Sequence, residues 1–372
     1  MLNDQEYILD QIVRIVEKER PDVVLISGDV YNTSTPSAEA VHLLDRFITN
    51  LNAVCNHIFI LPGNHDSAER LAFGSEIMSK NGVYFSQTFS ANPQKITLND
   101  SNGEVNIYLL PFVRPIDVRY AFKDDSDLPA ITTYDDAIRK SIEAMQPDYT
   151  QRNILIAHQY IKNGNRCDGE ESIGGLDEVD ADIVKDFDYV ALGHLHRPQQ
   201  VQYPHIRYSG SPLPMGFGEV GQQKKVCLVE CEGRNVSVRQ LNVPLFQKLE
   251  KLSGDLPALE ARLAELSLAG EPVWTEVLYT GPGLVSDLRE RLLEKAASHV
   301  EILRVRCACN PIGTASSADD DINLEDMDIF DVFERRLDDL EREAGLDDEQ
   351  RKALRETYAE AVREYNQRIE GE

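Results

Sequence analysis

The sequence predicts a layered α/β core followed by a small α+β unit and a terminal pair of helices. Residues 1–245 alternate helical spacing with short apolar runs, the pattern of an α/β domain. Residues 246–310 repeat that alternation on a smaller scale. Residues 311–325 then form a linker of Gly, Thr, Ala, Ser and Asp, and residues 326–372 carry two amphipathic stripes.

In chain order, Ile8, Ile12, Ile15 and Val16 fall at helical spacing, and Pro21 closes that helix. Val23 to Ile26 is a short apolar run of strand type, and further runs are Ile58 to Leu61, Val105 to Leu110, Ile154 to Ala157 and Tyr189 to Leu192. Leu176 to Lys185 is expected to be a short helix before the last of these. Beyond Leu192 the chain turns β-rich, with Ile206 to Tyr208, Val226 to Val229 and Val236 to Leu241. In the second unit Leu249 to Leu266 has helical patterning, Val273 to Tyr279 reads as a strand, Leu284 to Ala297 as a helix and Val300 to Cys307 as a strand. In the terminal segment Phe333, Leu337 and Leu340 share one face, and Gly345 stops that helix. Leu354, Tyr358, Val362, Tyr365 and Ile369 form the second stripe. Such a pair is too short to bury its apolar face alone, so it folds back on the body or docks on another protein.

Composition removes several function classes. The chain has 372 residues, 42% hydrophobic and 27% charged, in the range of a soluble globular protein. It contains no apolar run long enough for a membrane helix, and its acidic, polar start is unlike a signal peptide. Its six cysteines include no CxxC pair, which fits a reducing cytoplasm. Cys307-Ala308-Cys309 reads as core positions on a strand in preference to a metal site. A net charge of −26 argues against an independent DNA-binding module, because phosphate affinity comes largely from Lys and Arg. DNA stays open as a substrate, since bound divalent cations invert the local charge and a partner can supply basic surface. No Gly-x-x-x-x-Gly-Lys-Ser/Thr loop is present, so the chain does not hydrolyse ATP by that route. There is no Gly-x-Ser-x-Gly nucleophile elbow either.

The chemistry gathers at four strand ends. Val23-Val24-Leu25-Ile26-Ser27 runs into Gly28-Asp29, and Ile58-Phe59-Ile60-Leu61 into Pro62-Gly63-Asn64-His65-Asp66. Ile154 to Ala157 ends at His158, and Tyr189 to Leu192 at Gly193-His194-Leu195-His196. In a mostly parallel sheet these ends would share one edge, where open α/β sheets place their sites. His194 and His196 are two apart, so in an extended segment both imidazoles would point the same way. Gly28, Gly63 and Gly193 allow tight turns and close approach of backbone to a ligand. One carboxylate can bridge two cations while imidazole and amide oxygen fill each coordination sphere, a donor set suited to Mn²⁺, Fe²⁺ or Zn²⁺. Two such ions about 3.5–4 Å apart clamp the attacking and leaving oxygens of a phosphoryl transfer. A single His at a strand end is usually a polar cap; the combination gives these their weight. His42, His57, His205 and His299 lack such a setting and read as structural or surface residues.

These motifs resemble those of the calcineurin-like metallophosphoesterases. Leu110-Pro111-Phe112, Ala157-His158-Gln159 and Tyr208-Ser209-Gly210-Ser211-Pro212-Leu213-Pro214 narrow the resemblance to the SbcD nucleases of bacterial double-strand-break repair. The resemblance implies a layered core of two β-sheets flanked by helices, a capping domain and a C-terminal helix pair. It implies two divalent ions, Mn²⁺ ahead of Mg²⁺. Asp29 would bridge them, Asn64, His158 and His194 would complete one site, and His196 would belong to the other. His65 would be a catalytic non-ligand facing the scissile phosphate, with Asp66 orienting it. The resemblance further implies DNA exonuclease and endonuclease activity at ends and hairpins, in a cytoplasmic, nucleoid-associated heterotetramer. There the C-terminal helices of a homodimer would bind a coiled-coil ATPase of the SbcC type, and that partner would use the ATP. In one respect the sequence departs from the pattern: the family opens on a strand carrying Asp-x-His, and none precedes Asp29. Asp4 has no His two positions on. A chain lacking that strand is expected to be catalytically impaired, which makes a scaffold role one alternative; another calcineurin-like phosphodiesterase or phosphatase activity is the other.

Overall fold

The computed structural model describes residues 2–125, 130–167, 178–282, 285 and 287–308. Two compact units divide the chain at residue 311, and the second, residues 312–372, lies outside the described residues. The linker, the helix pair with its stripes, and Cys309 lie outside the described residues.

The first unit opens with α1 (Leu2–Glu19), β1 (Val23–Ser27), α2 (Ala38–Asn52), β2 (His57–Leu61), α3 (Ala68–Leu71), α4 (Ser75–Ser79) and β3 (Val83–Phe85). Strands β1, β2 and β3 form a parallel three-stranded sheet in that order. Next come β4 (Gln94–Asp100), β5 (Gly103–Leu110), α5 (Pro115–Ala121), α6 (Tyr134–Met145), β6 (Arg152–His158), β7 (Tyr160–Ile161), β8 (Glu178–Val179), β9 (Tyr189–Gly193), β10 (Gln199–Val201) and β11 (Tyr203–Tyr208). Six of these strands form a second sheet, ordered β10-β11-β9-β6-β5-β4. Its interior pairings are parallel, and antiparallel β4 and β10 take the two edges.

Side-chain alternation sorts the layers. In β2, Ile58 and Ile60 join Val16, Phe47 and Leu51 of α1 and α2 in one core. The intervening Phe59 and Leu61 meet Ile107, Leu109 and Ile156 of the second sheet in another. The opposite face of that sheet, with Tyr108, Leu110, Leu155, Val190 and Leu192, packs against Val118 of α5 and Ile138 and Ile142 of α6. The order is helix, sheet, sheet, helix. A strand buried on both faces reads as an unbroken apolar run, which is why Ile58 to Leu61 shows no alternation.

A hairpin, β12 (Lys225–Glu232) with β13 (Asn235–Asn242), follows. Then β14 (Lys248–Gly254), α7 (Leu256–Ala269), β15 (Val273–Tyr279), α8 (Leu288–Leu293) and β16 (Val300–Cys307) build a separate parallel sheet. Its core is its own, with Leu252, Leu259, Leu263, Val277 and Leu292.

Four expectations change. The strand ends that carry the motifs belong to two facing sheets, not to one: β1 and β2 to the first, β6 and β9 to the second. Leu249 to Leu266 is not one helix. Its first part is β14, pairing in register with β15, and α7 begins only after Asp255, whose carboxylate accepts the Ala258 N–H at 3.1 Å. Between 178 and 185 the chain forms β8 and a single 3₁₀ turn, Ala181–Ile183, in place of a helix. Val179, Ala181 and Val184 all turn inward there, a spacing closer to a strand and turn than to one helical face. Within Leu284 to Ala297, helix is confined to α8 among the described residues.

Candidate metal centre

Asp29 follows β1 through a left-handed turn, with φ +91° at Gly28 and +50° at Asp29. That turn brings the carboxylate back across the C-terminal end of the sheet. Burial opposes ionisation of Asp29, but the adjoining His158 imidazole and the His65 backbone N–H outweigh it, holding the carboxyl below its usual range. His158, at the end of β6, is wholly buried. Its Nε2 lies 3.1 Å from Asp29 Oδ2 and 3.1 Å from Asn64 Oδ1. Asn64, in the loop after β2, also places Oδ1 3.2 Å from His194 Nδ1. Asp29, His158 and His194 can each turn one ligand atom into a cluster spanning less than 4.8 Å.

The chemistry of this donor set fits a cation. His158 Nδ1 is 2.7 Å from the carbonyl oxygen of Ser27, which can only accept, so Nδ1 carries a proton. In the neutral ring Nε2 is then a bare lone pair, and it faces a carboxylate oxygen and an amide oxygen. Acceptors turned toward one another at hydrogen-bond distance repel unless a positive charge lies among them. Neither nitrogen nor oxygen donors of this kind select thiophilic ions, which leaves the borderline and hard divalent metals.

Close packing sets the position of these ligands. At Gly193 a side chain would collide with the Ser27 carbonyl oxygen, the same oxygen that orients His158. At Gly28 a side chain would enter the His158 ring. Phe112, after β5, lies nearly parallel to the His194 ring at 6.5 Å between centroids and edge-on to His158 at 6.3 Å, filling the apolar side of both imidazoles.

The other predicted residues take different positions. The segment after β9 is not extended: His194 has φ +106° and Leu195 is buried, so His194 and His196 diverge. His194 joins the cluster, whereas His196 directs Nδ1 to Glu219 Oε1 at 2.8 Å. His65 is exposed and reaches the cluster through its backbone, whose N–H donates to Asp29 Oδ1 at 3.1 Å. Asp66 accepts the backbone N–H groups of Val30, Tyr31 and Gly63 at 3.0, 2.8 and 2.8 Å. It thereby ties the loop after β1 to the loop after β2.

Sequence reasoning missed Glu219 and Lys224. Both are buried, and they form an ion pair beside His196. Glu219 follows Gly218, but no apolar strand run leads into it, and Lys224 sits in the polar stretch Gln222-Gln223-Lys224-Lys225, so nothing in the sequence separates either from surface charge.

Residues 2–198 match the family described as calcineurin-like phosphoesterase, and residues 245–340 match the Type 5 capsule protein repressor C-terminal domain. Over 262 residues the chain is 38% identical to the SbcD component of the SbcCD nuclease of Staphylococcus epidermidis, covering 68% of each protein. Over 260 residues it is 33% identical to the corresponding SbcD component from Staphylococcus saprophyticus, covering 68% of this chain and 67% of that one. A solved calcineurin-like phosphoesterase from Bacillus subtilis aligns over 64% of this chain and 82% of its own at a TM-score of 0.34 and 15% identity.

Proposed function

Because the chain belongs to the calcineurin-like phosphoesterase family, in the branch of the SbcD nucleases, we propose that its cluster holds two divalent cations for cleavage of DNA phosphodiesters. The chain is a metal-dependent phosphodiesterase, a nuclease subunit of an SbcCD-type complex. The convergence of Asp29 Oδ2, Asn64 Oδ1, His158 Nε2 and His194 Nδ1 carries the reading of the site.

Asp29 would serve both ions, with Asn64, His158 and His194 completing one site and His196 contributing to the other. Bound Mn²⁺ would supply an activated water and charge neutralisation at the phosphate. His65 stands exposed on the loop that the Asp29 carboxylate holds by its backbone N–H. From there its imidazole donates a proton toward the leaving oxygen. Asp66 orients His65 indirectly, by fixing both loop backbones through its three accepted N–H groups. DNA ends and hairpins are the proposed substrates. Since the chain is so acidic, much of the DNA grip falls to a partner, a coiled-coil ATPase that uses the ATP and binds the C-terminal helices.

A homodimer belongs to the same proposal. Phe73 and Ile77, which follow β2, are 85% and 71% exposed, and Ile116 and Tyr120 of α5, which follows β5, are 56% and 73% exposed. Both segments leave the sheets at the end that carries the cluster. No helix among the described residues is long and apolar enough to cross a membrane; the cytoplasm, at the nucleoid, is the proposed location.

The deciding experiment is cleavage of a labelled duplex with and without chelator, followed by Mn²⁺ add-back. Activity should vanish with chelation and return with Mn²⁺. Cleavage that survives exhaustive chelation would refute the reading.

A further inference from the structure

His196 is held by a buried polar network that the site chemistry described so far does not use. Its Nδ1 lies 2.8 Å from Glu219 Oε1, which also accepts the Met215 N–H at 3.2 Å. Lys224 donates to Glu219 Oε2, to Ser211 Oγ at 2.8 Å and to the His196 carbonyl at 3.2 Å. The Ser211 hydroxyl donates in turn to Glu219 Oε2 at 3.0 Å. Glu219 is 3% exposed and Lys224 is wholly buried. A charge removed from water this completely is tolerated only with its partners in place.

The direction of every hydrogen bond in the network is determined. An ammonium only donates, so Lys224 fixes Oε2 of Glu219 and the Ser211 oxygen as its acceptors. An ionised carboxylate only accepts, so Glu219 requires a proton on His196 Nδ1. The opposite tautomer would set two lone pairs against each other at 2.8 Å. His158 is fixed the same way, by Nδ1 on the Ser27 carbonyl at 2.7 Å. In their neutral form the His158 and His196 rings thus carry the proton on the same nitrogen and present the other as a lone pair.

We propose that Glu219 is the positioning residue of His196, with Lys224 as its counter-charge, and that the pair holds Nε2 unprotonated and available to a divalent cation. This deepens the reading above and rests on His196 being a ligand. A carboxylate behind a ligating imidazole fixes ring orientation and tautomer, and its loss typically costs about 10–100-fold in metal affinity.

Two substitutions make opposite predictions. In Glu219→Gln, Lys224 takes the amide oxygen, so the amide NH₂ faces His196 Nδ1 and reverses the tautomer. In Glu219→Gln combined with Lys224→Met, no ammonium competes, and the amide oxygen turns back to accept from Nδ1. ¹⁵N NMR of the metal-free full chain, with His196 assigned by comparison with His196→Ala, should show Nδ1–H in the parent. It should show Nε2–H in the single variant and Nδ1–H again in the double variant. Mn²⁺ titration should show one class of site weakened about 10–100-fold in the single variant and mostly restored in the double. A parent ring protonated on Nε2 overturns the proposal whether or not the Glu219 and Lys224 variants fold. So does parental Mn²⁺ affinity in Glu219→Gln while His196→Ala weakens binding. Unchanged binding in His196→Ala would instead remove His196 from the ligand set and refute the underlying reading.

Discussion

Asp29 and His65 are joined by one hydrogen bond, His65 N to Asp29 Oδ1 at 3.1 Å, yet substitution should separate them. The His65 contribution to that bond is backbone, so His65→Ala keeps it. Cleavage should fall by a factor on the order of 10²–10⁴, as for loss of a general acid, while bound Mn²⁺ stays at the parental level by elemental analysis. Asp29→Ala removes the carboxylate oxygen 3.1 Å from His158 Nε2 and should lose both metal and activity; a metal-replete Asp29→Ala would remove Asp29 from the bridging position. Gly193→Ala tests the geometry without touching a donor. Its methyl would displace the Ser27 carbonyl, freeing the His158 ring, so metal affinity should fall more than melting temperature. An unaltered Mn²⁺ isotherm would show that this carbonyl does not set the ligand. The ligand-type residues at the strand ends were legible because each follows an apolar run, and Asp29, Asn64 and His194 a glycine as well. Glu219 and Lys224 were not, because burial of a charged pair depends on what a distant loop packs against.

At the scale of elements, α6 carries a reciprocal cap whose strength depends on pH. The Asp136 carboxylate accepts the backbone N–H groups of Thr132 and Thr133 at 3.1 and 2.9 Å, while Thr133 Oγ1 accepts the Asp136 N–H at 3.1 Å. The Thr133 and Thr132 N–H groups lower the Asp136 pKa to about 2. A carboxyl depressed in the folded state stabilises above its unfolded value near 4, and that contribution is lost as pH falls toward about 2. Asp136→Ala removes the titrating acceptor and should cost about 1 kcal/mol at neutral pH, and the gap between variant and parent should narrow over that acidic window in thermal melts. A gap that holds constant to pH 2 would rule the cap out as its source. The same scale explains which elements were readable. Unbroken runs such as Ile58 to Leu61 identified themselves as doubly covered strands. Leu249 to Leu266 misled because the apolar positions of β14 happen to continue the helical spacing of α7; Asp255 and Pro257 mark the true start. The division of the strands between two sheets could not be read locally, since pairing partners lie far apart in the chain.

At the scale of the whole molecule, two surfaces are open to direct test. Phe73→Asp with Tyr120→Asp should convert a dimer to a monomer in light scattering at micromolar concentration, with the melting temperature nearly unchanged. A parental mass would place the contact elsewhere. Removing residues 331–372 should leave residues 1–308 with their melting transition intact but abolish co-purification with the ATPase partner. In the intact chain that association should weaken with salt, since the segment is acidic. Retained co-purification would move the interface onto the body. The double burial of β2 has a further consequence, for synthesis. A ribosome completes β1, β2 and β3 by residue 85, whereas the strands that share a core with Phe59 and Leu61 begin with β4 at residue 94. For at least the interval between, at about 5–20 residues per second, the nascent chain holds a half-clothed sheet whose naked side is apolar. Nascent chains arrested once β3 but not yet β4 has left the exit tunnel should therefore bind a hydrophobic dye and aggregate on release, and those arrested after β6 has left it should do neither.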